Sequence, residues 1–255
     1  MIMYGGILGR VNFQQLFFLT FWAMLFWGFN TAFVTQKLQT VDVGGGFVVH
    51  SFGGYFGIAA TYFFQPERAN HSKNQKSSYQ SNYISALGTF VLWIFWPSYN
   101  AAMCTGNMQL RSMMNTAIAL FGSVMGTACH ARILFGKLEM VTMLNATLAG
   151  AVMIGPSVDI ITNPGVTLLI GLFAGLTCSM GFEKLTPFLQ KTIRLQDTCG
   201  IHNLHCLMGV IGAVISAIAI AGSGTRGFGN GYFPMVQNDG DEMSQAWSQI
   251  YGCIV

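Results

Sequence analysis

Charge is what this sequence has least of. Among 255 residues only 12 are Lys or Arg and 9 are Asp or Glu, 8% in all, where a soluble domain carries about 25%. So few charges cannot cover a water-exposed surface, and with a mean hydropathy of +0.49 an integral membrane protein is the expectation. No basic run is present, which excludes nucleic acid as a partner. Pairing motifs are missing too: the six cysteines (Cys104, Cys129, Cys178, Cys199, Cys206, Cys253) form no CxxC and no secreted-domain framework. They fall within or beside apolar runs and read as reduced packing residues. The opening "MIMYGGILGR" is apolar but short and has no small-residue cleavage site, so no signal peptide is expected. There is no P-loop, no nucleophile–base set and no cluster of metal ligands. Neither an enzyme nor a bound metal or cofactor is expected.

What is present is a series of long apolar runs. A helix needs about 20 mainly apolar residues to cross a bilayer. Seven runs qualify, approximately Asn12–Val34, Gly44–Phe64, Tyr83–Met103, Met113–Leu134, Met140–Val158, Gly165–Gly181 and Gly200–Gly222. The breaks between them, among them "TGNMQLRS" and "EKLTPFLQKTIRLQD", hold charge, Pro, Gly or polar residues, as helix ends should. Met1–Gly9 reads as the tail of a further helix and Ala246–Val255 as the start of another. The expected fold is therefore all-α: a polytopic transmembrane bundle of about seven complete spans and two partial ones. It forms one membrane domain over residues 1–255, incomplete at both ends. Assigning loops alternately puts nine Lys and Arg on one side (Arg10, Arg68, Lys73, Lys76, Arg132, Lys137, Lys184, Lys191, Arg194) and three on the other (Lys37, Arg111, Arg226). Cytoplasmic loops carry the basic excess, so the first side is expected to be cytoplasmic.

Two stretches repeat. "DVGGGFVVHSFGGYFG" (Asp42–Gly57) and "DTCGIHNLHCLMGVIG" (Asp197–Gly212) share Asp42/Asp197, Gly45/Gly200, His50/His205, Gly54/Gly209 and Gly57/Gly212. Each opens an apolar run, one entering from outside and the other from the cytoplasm, as inverted repeats do in many transporters. Eight residues of helix rise about 12 Å into a hydrocarbon core about 30 Å thick. The two imidazoles are thus expected to meet near the midplane and line a pore. Each Asp is expected to cap backbone N–H groups and brace a vestibule. The glycines Gly54, Gly57, Gly209 and Gly212 are expected to let helices approach and to leave a narrow path beside the histidines. His202 has no counterpart in the first motif, where Phe47 stands, and reads as structural, with Asn203 as a packing hydrogen-bonder. His130 and His71, at a helix end and in a loop, are expected to be solvated.

These motifs, with "LWIFWPSYNAA", "GKLEMVTMLNATLAGAVMIG" and "GFEKLTPFL", resemble the ammonium transporter/Rhesus (Amt/Rh) family, its Rh branch in particular, in the same order and over nearly the whole chain. The resemblance implies a homotrimer of helical bundles in the plasma membrane, one pore per subunit. Ammonia or ammonium is the implied permeant, with carbon dioxide as a second permeant in some relatives. The family's twin histidines fall on His50 and His205, its paired acids on Asp42 and Asp197, and one of its two stacked gate phenylalanines on Tyr99. Departures stand out. Tyr99 adds a hydroxyl to the gate, and Cys206 and Met208 replace the usual Gly and Pro, Cys206 adding bulk beside the lumen. Thr31 stands where many Rh proteins have an outer acid. The family's first spans are missing from the match.

Three rival readings are distinguishable. A seven-span receptor would carry Asp-Arg-Tyr after the third run and Asn-Pro-x-x-Tyr in the seventh, and neither is there. A non-transporting Rh-type structural subunit would be indifferent to loss of His50 or His205, whereas a conductor would not. An inactive fragment would agree with the two cut ends.

Overall fold

The structure is a computed structural model that describes residues 1–64, 77–137, 139–223 and 240–255. Every regular element among these is helical. In chain order they are α1 (Ile2–Ile7), α2 (Phe13–Ala32), α3 (Phe52–Phe63), α4 (Tyr79–Asn100), α5 (Gly106–His130), α6 (Met140–Ala146), α7 (Ala149–Ile154), α8 (Pro164–Met180), α9 (Thr186–Ile193), α10 (Leu207–Ser223) and α11 (Glu242–Ile254). Wide π-type turns extend several of them: Phe33–Lys37 after α2, Gly46–Ser51 before α3, Ala131–Phe135 after α5, Gly181–Leu185 between α8 and α9, and His202–Cys206 before α10.

Helix starts follow local chemistry. Asn12 and Ser78 each accept from the backbone N–H three residues on, and Gln15 and Ser81 answer with their own side chains, forming reciprocal caps. Asn163 caps α8 with Pro164 in its first turn, where a missing N–H costs nothing. Among the described residues, five helical stretches are long and apolar enough to cross a membrane: Phe13–Lys37, Gly106–Ile133, Met140–Ser157, Pro164–Ile193 and His202–Gly222. The remaining two expected runs are also helical, as the Gly46 turn with α3 and as α4.

Several boundaries differ from the sequence reading. "TGNMQLRS" is largely not a break, for α5 begins at Gly106 and carries Arg111 inside it. The helix simply continues past its apolar stretch, and its polar first turns keep their hydrogen bonds. Nor does the helical stretch that starts with α8 stop at Gly181. The chain passes through the wide turn at Gly181–Leu185 into α9, with Pro187 in that helix's opening turn. The run at Met140 is interrupted at Thr147–Leu148, between α6 and α7.

The core sits where α5, α7, α8 and α10 meet, around Leu120, Met153, Ile154 and Met208. Small residues let α5 and α8 approach: a Cβ on Gly126 would strike the Leu172 carbonyl. Such close backbone contact replaces hydrophobic driving force within a bilayer. Every residue of α7 is buried, whereas α2 buries none and exposes Phe13, Phe17, Phe18 and Phe29. A helix apolar all round and exposed along its length belongs in lipid or against another span.

His130 corrects the sequence reading. It is only 1% exposed, and its Nε2 lies 3.2 Å from Glu183 Oε2. The end of α5 packs under the Gly181–Leu185 turn, which carries that carboxylate inward to a partner that periodicity alone could not name. His71 lies outside the described residues, as do Arg68, Lys73, Lys76 and Arg226, on which the orientation partly rests. The six cysteines are free thiols.

Candidate functional site: a histidine pair beside an apolar cavity

Asp42 and Asp197 organise the two motifs in the same way. Asp42 Oδ1 accepts from Gly46 N at 2.7 Å, and its Oδ2 accepts from Phe47 N at 2.9 Å and Val48 N at 2.8 Å. Asp197 Oδ1 accepts from Gly200 N and Ile201 N at 2.9 and 3.0 Å, and its Oδ2 from His202 N at 2.8 Å. Each carboxylate thus satisfies N–H groups that open a helix and have no intrahelical partner. Burial pushes both carboxyls above the usual range, Asp42 to about 6, while these N–H donors pull the other way. Gly45 and Gly200 are left-handed, at φ +69° and +75°, a conformation that favours glycine and that lets the chain turn back over its own aspartate.

After each cap the backbone enters a π-type turn, Gly46–Ser51 or His202–Cys206, and both turns contain the repeat histidine. The extra residue per turn frees backbone groups and re-aims side chains, and such bulges are frequent at functional sites. His50 Nδ1 and His205 Nδ1 lie 3.0 Å apart across an interval of 155 residues. Their rings are nearly parallel, 3° apart with centroids 5.1 Å apart. A contact between two Nδ1 atoms is a hydrogen bond only if one carries the proton and the other does not. In a neutral pair, one Nε2 is then an acceptor and the other a donor. His50 Nε2 is buried with no hydrogen-bond partner.

Both histidines border a cavity of about 770 Å³ whose walls are overwhelmingly apolar. Trp96 stacks on His50, with centroids 5.4 Å apart and planes 23° apart, and Tyr99 meets it edge-on at 6.2 Å. Both line the same cavity, as do Trp27 and Phe56. Trp27 Nε1 donates to the Val48 carbonyl at 3.1 Å within the first π-type turn. The sequence reading assigned no role to Trp96 or Trp27. Trp96 stands three residues before Tyr99, one helical turn away, and that spacing was the signal available.

The four repeat glycines sit at helix crossings and are not among the residues that line this cavity. A Cβ on Gly54 would lie 2.5 Å from Cys206 Sγ, and one on Gly209 would strike the Gly46 carbonyl and Ser51 Oγ. Gly57 meets Met3 and Ile201 at 2.7 Å, and Gly212 the Met153 carbonyl at 2.5 Å. Cys206, too, is not among the residues that line this cavity. It is fully buried and fills the crossing against Gly54. His202 stands edge-on to Tyr55 at 6.3 Å, and Asn203 Nδ2 donates to Thr186 Oγ1 at 2.7 Å.

A multi-pass helical membrane protein with a cap, left-handed glycine, π-type turn and histidine recurring at one interval is the class these elements define. The comparisons with known proteins go further. The model of the Ammonium Transporter Family matches residues 1–255. Ammonium transporter Rh type C of Oryctolagus cuniculus is 37% identical over all of this chain and 56% of its own length, and that of Rattus norvegicus is 35% identical over all of this chain and 53% of its own. The solved structure of Nitrosomonas europaea Rh50, described as one of the Rhesus protein family of channels, superposes with a TM-score of 0.80 at 30% identity, covering 99% of this chain and 65% of that one. Saccharomyces cerevisiae Mep2 shares the fold, with a TM-score of 0.72 at 20% identity. The chain belongs to the ammonium transporter family. It spans about half the length of the curated relatives it matches.

Proposed function

We propose that this chain supplies the histidine-lined part of a channel that conducts ammonia, taken up as ammonium, across the plasma membrane. The observation that carries the reading is the His50–His205 contact beside an apolar cavity. A bare cation at the centre of a bilayer is expensive, whereas neutral ammonia needs only a lone-pair acceptor and an N–H donor. A neutral imidazole pair offers both without adding charge. Ammonium would give up its proton to water in a vestibule, where the proton is left behind, and ammonia would pass along the pair. In this reading the bundle crosses the membrane seven times with the basic loops in the cytoplasm, Asp42 and Asp197 brace the two mouths, Tyr99 gates the outer one, and the assembly is a homotrimer. Carbon dioxide is a candidate second permeant.

The test is reconstitution of the full chain in liposomes holding a pH-sensitive dye, followed by an inward ammonium gradient. Faster internal alkalinisation than in protein-free liposomes is expected. Equal rates would overturn conduction by this chain and favour the second reading, a non-transporting membrane subunit.

A further inference from the structure

Between the wide turn after α2 and the one before α3, the chain is not helical from Leu38 to Gly45. Backbone polar groups in such a stretch need partners from elsewhere when water is excluded. Helix α11 supplies those of Leu38, Gln39 and Val41. Ser248 Oγ donates to the Leu38 carbonyl, and Gln245 Nε2 donates to the Gln39 carbonyl at 2.8 Å. Gln249 does more: its Oε1 accepts from Val41 N at 2.7 Å, and its Nε2 donates to the Val41 carbonyl at 2.5 Å and to Ser216 Oγ on α10 at 3.0 Å. One fully buried side-chain amide thus pairs with both peptide groups of the residue preceding Asp42, as a neighbouring strand would, and ties them to α10.

The second repeat has a brace at the equivalent atom. Gln196 precedes Asp197 as Val41 precedes Asp42, and the Gln196 carbonyl accepts from Arg10 Nη1 at 2.9 Å. The donors are chemically unrelated, an amide from α11 and a guanidinium from the α1–α2 junction, yet each grips the carbonyl next to a capping aspartate. Packing alone does not require that coincidence. We infer that Gln249 is a positioning residue: by fixing Val41 it sets the place of the Asp42 carboxylate, and through that cap the π-type turn that aims His50 at His205. The flux arm of its test rests on the conduction reading above, and the structural arm does not.

The experiment compares the full chain with Gln249→Leu, Gln249→Glu and Asp42→Asn by hydrogen–deuterium exchange and by ammonium-driven alkalinisation in liposomes. Loss of a buried hydrogen bond of this kind corresponds to about a tenfold change in a local opening equilibrium. Gln249→Leu should therefore speed exchange at Gly46, Phe47 and Val48 about tenfold and leave Gly200–His202 unchanged. Gln249→Glu, which keeps the acceptor for Val41 N and the side chain's size, should show a smaller change at the same amides. In flux, Gln249→Leu should raise the ammonium concentration giving half-maximal rate, and should add nothing further in an Asp42→Asn background. Faster exchange confined to Leu38–Val41 and α11, equal acceleration at both caps, or a flux effect additive with Asp42→Asn would overturn the inference. Absence of flux in the unmodified protein would count against conduction alone, and the exchange pattern would then decide for or against positioning.

Discussion

An aspartate whose two oxygens accept three backbone N–H groups is a helix cap before it is anything else. Asp42→Ala leaves the N–H groups of Gly46, Phe47 and Val48 without that acceptor, at a cost of about 0.5–2 kcal/mol. The expected result is a lower thermal unfolding midpoint in detergent together with slower ammonia flux, because the same turn holds His50. Charge makes a separate contribution. Burial raises the Asp42 carboxyl from 3.8 to about 6, so over that interval the folded protein binds more protons than the unfolded chain. Stability therefore falls as pH rises through this window, the contribution being fully present only below it. Asp197 has the same sign. Asp42→Asn, which cannot ionise, should flatten the fall between pH 4 and 6 in a pH series of unfolding midpoints. An unchanged slope would show that Asp42 does not titrate there.

At the scale of elements, the crossing between the two π-type turns is set by volume. Gly54 faces Cys206 as Gly209 faces Ser51, and Ser51 Oγ donates to the Cys206 carbonyl at 3.2 Å. Gly54→Ala drives a methyl into the Cys206 sulfur and should destabilise by about 1–3 kcal/mol, as overpacking does. Adding Cys206→Gly should return most of the lost stability, measured as the coupling in a double-mutant cycle; additive losses would place the two side chains apart. Much of this level was legible beforehand. The shared Asp, Gly and His positions gave two capped helices and two histidines within reach of one another. The π-type turns were not legible, because hydropathy reports a period near 3.6 and an inserted residue over one turn does not disturb it. The placement of the glycines was half legible: their smallness foretold close approach, but not that the neighbours would be backbone and the Cys206 sulfur. His130 was missed for a related reason, since its partner Glu183 lies on another helix's turn, far off in sequence.

Across the whole molecule, composition alone pointed to a membrane bundle, and each of the apolar runs falls on a helical stretch among the described residues, to within a few residues at most ends. Contacts between distant segments are what a single chain's pattern does not carry: Trp96 over His50, and α11 against Val41. The proposed path for a neutral permeant runs along two imidazoles in contact, His50 buried and His205 half-buried. Its most direct test is the rate of alkalinisation in liposomes containing equal amounts of folded wild-type protein, His50→Ala, His205→Ala and the double variant, under one ammonium gradient. Each single variant should change the rate severalfold and the double variant should resemble the singles, since both remove the same hydrogen-bonded pair. Rates identical in all four proteins would contradict the account and leave the pair a structural contact.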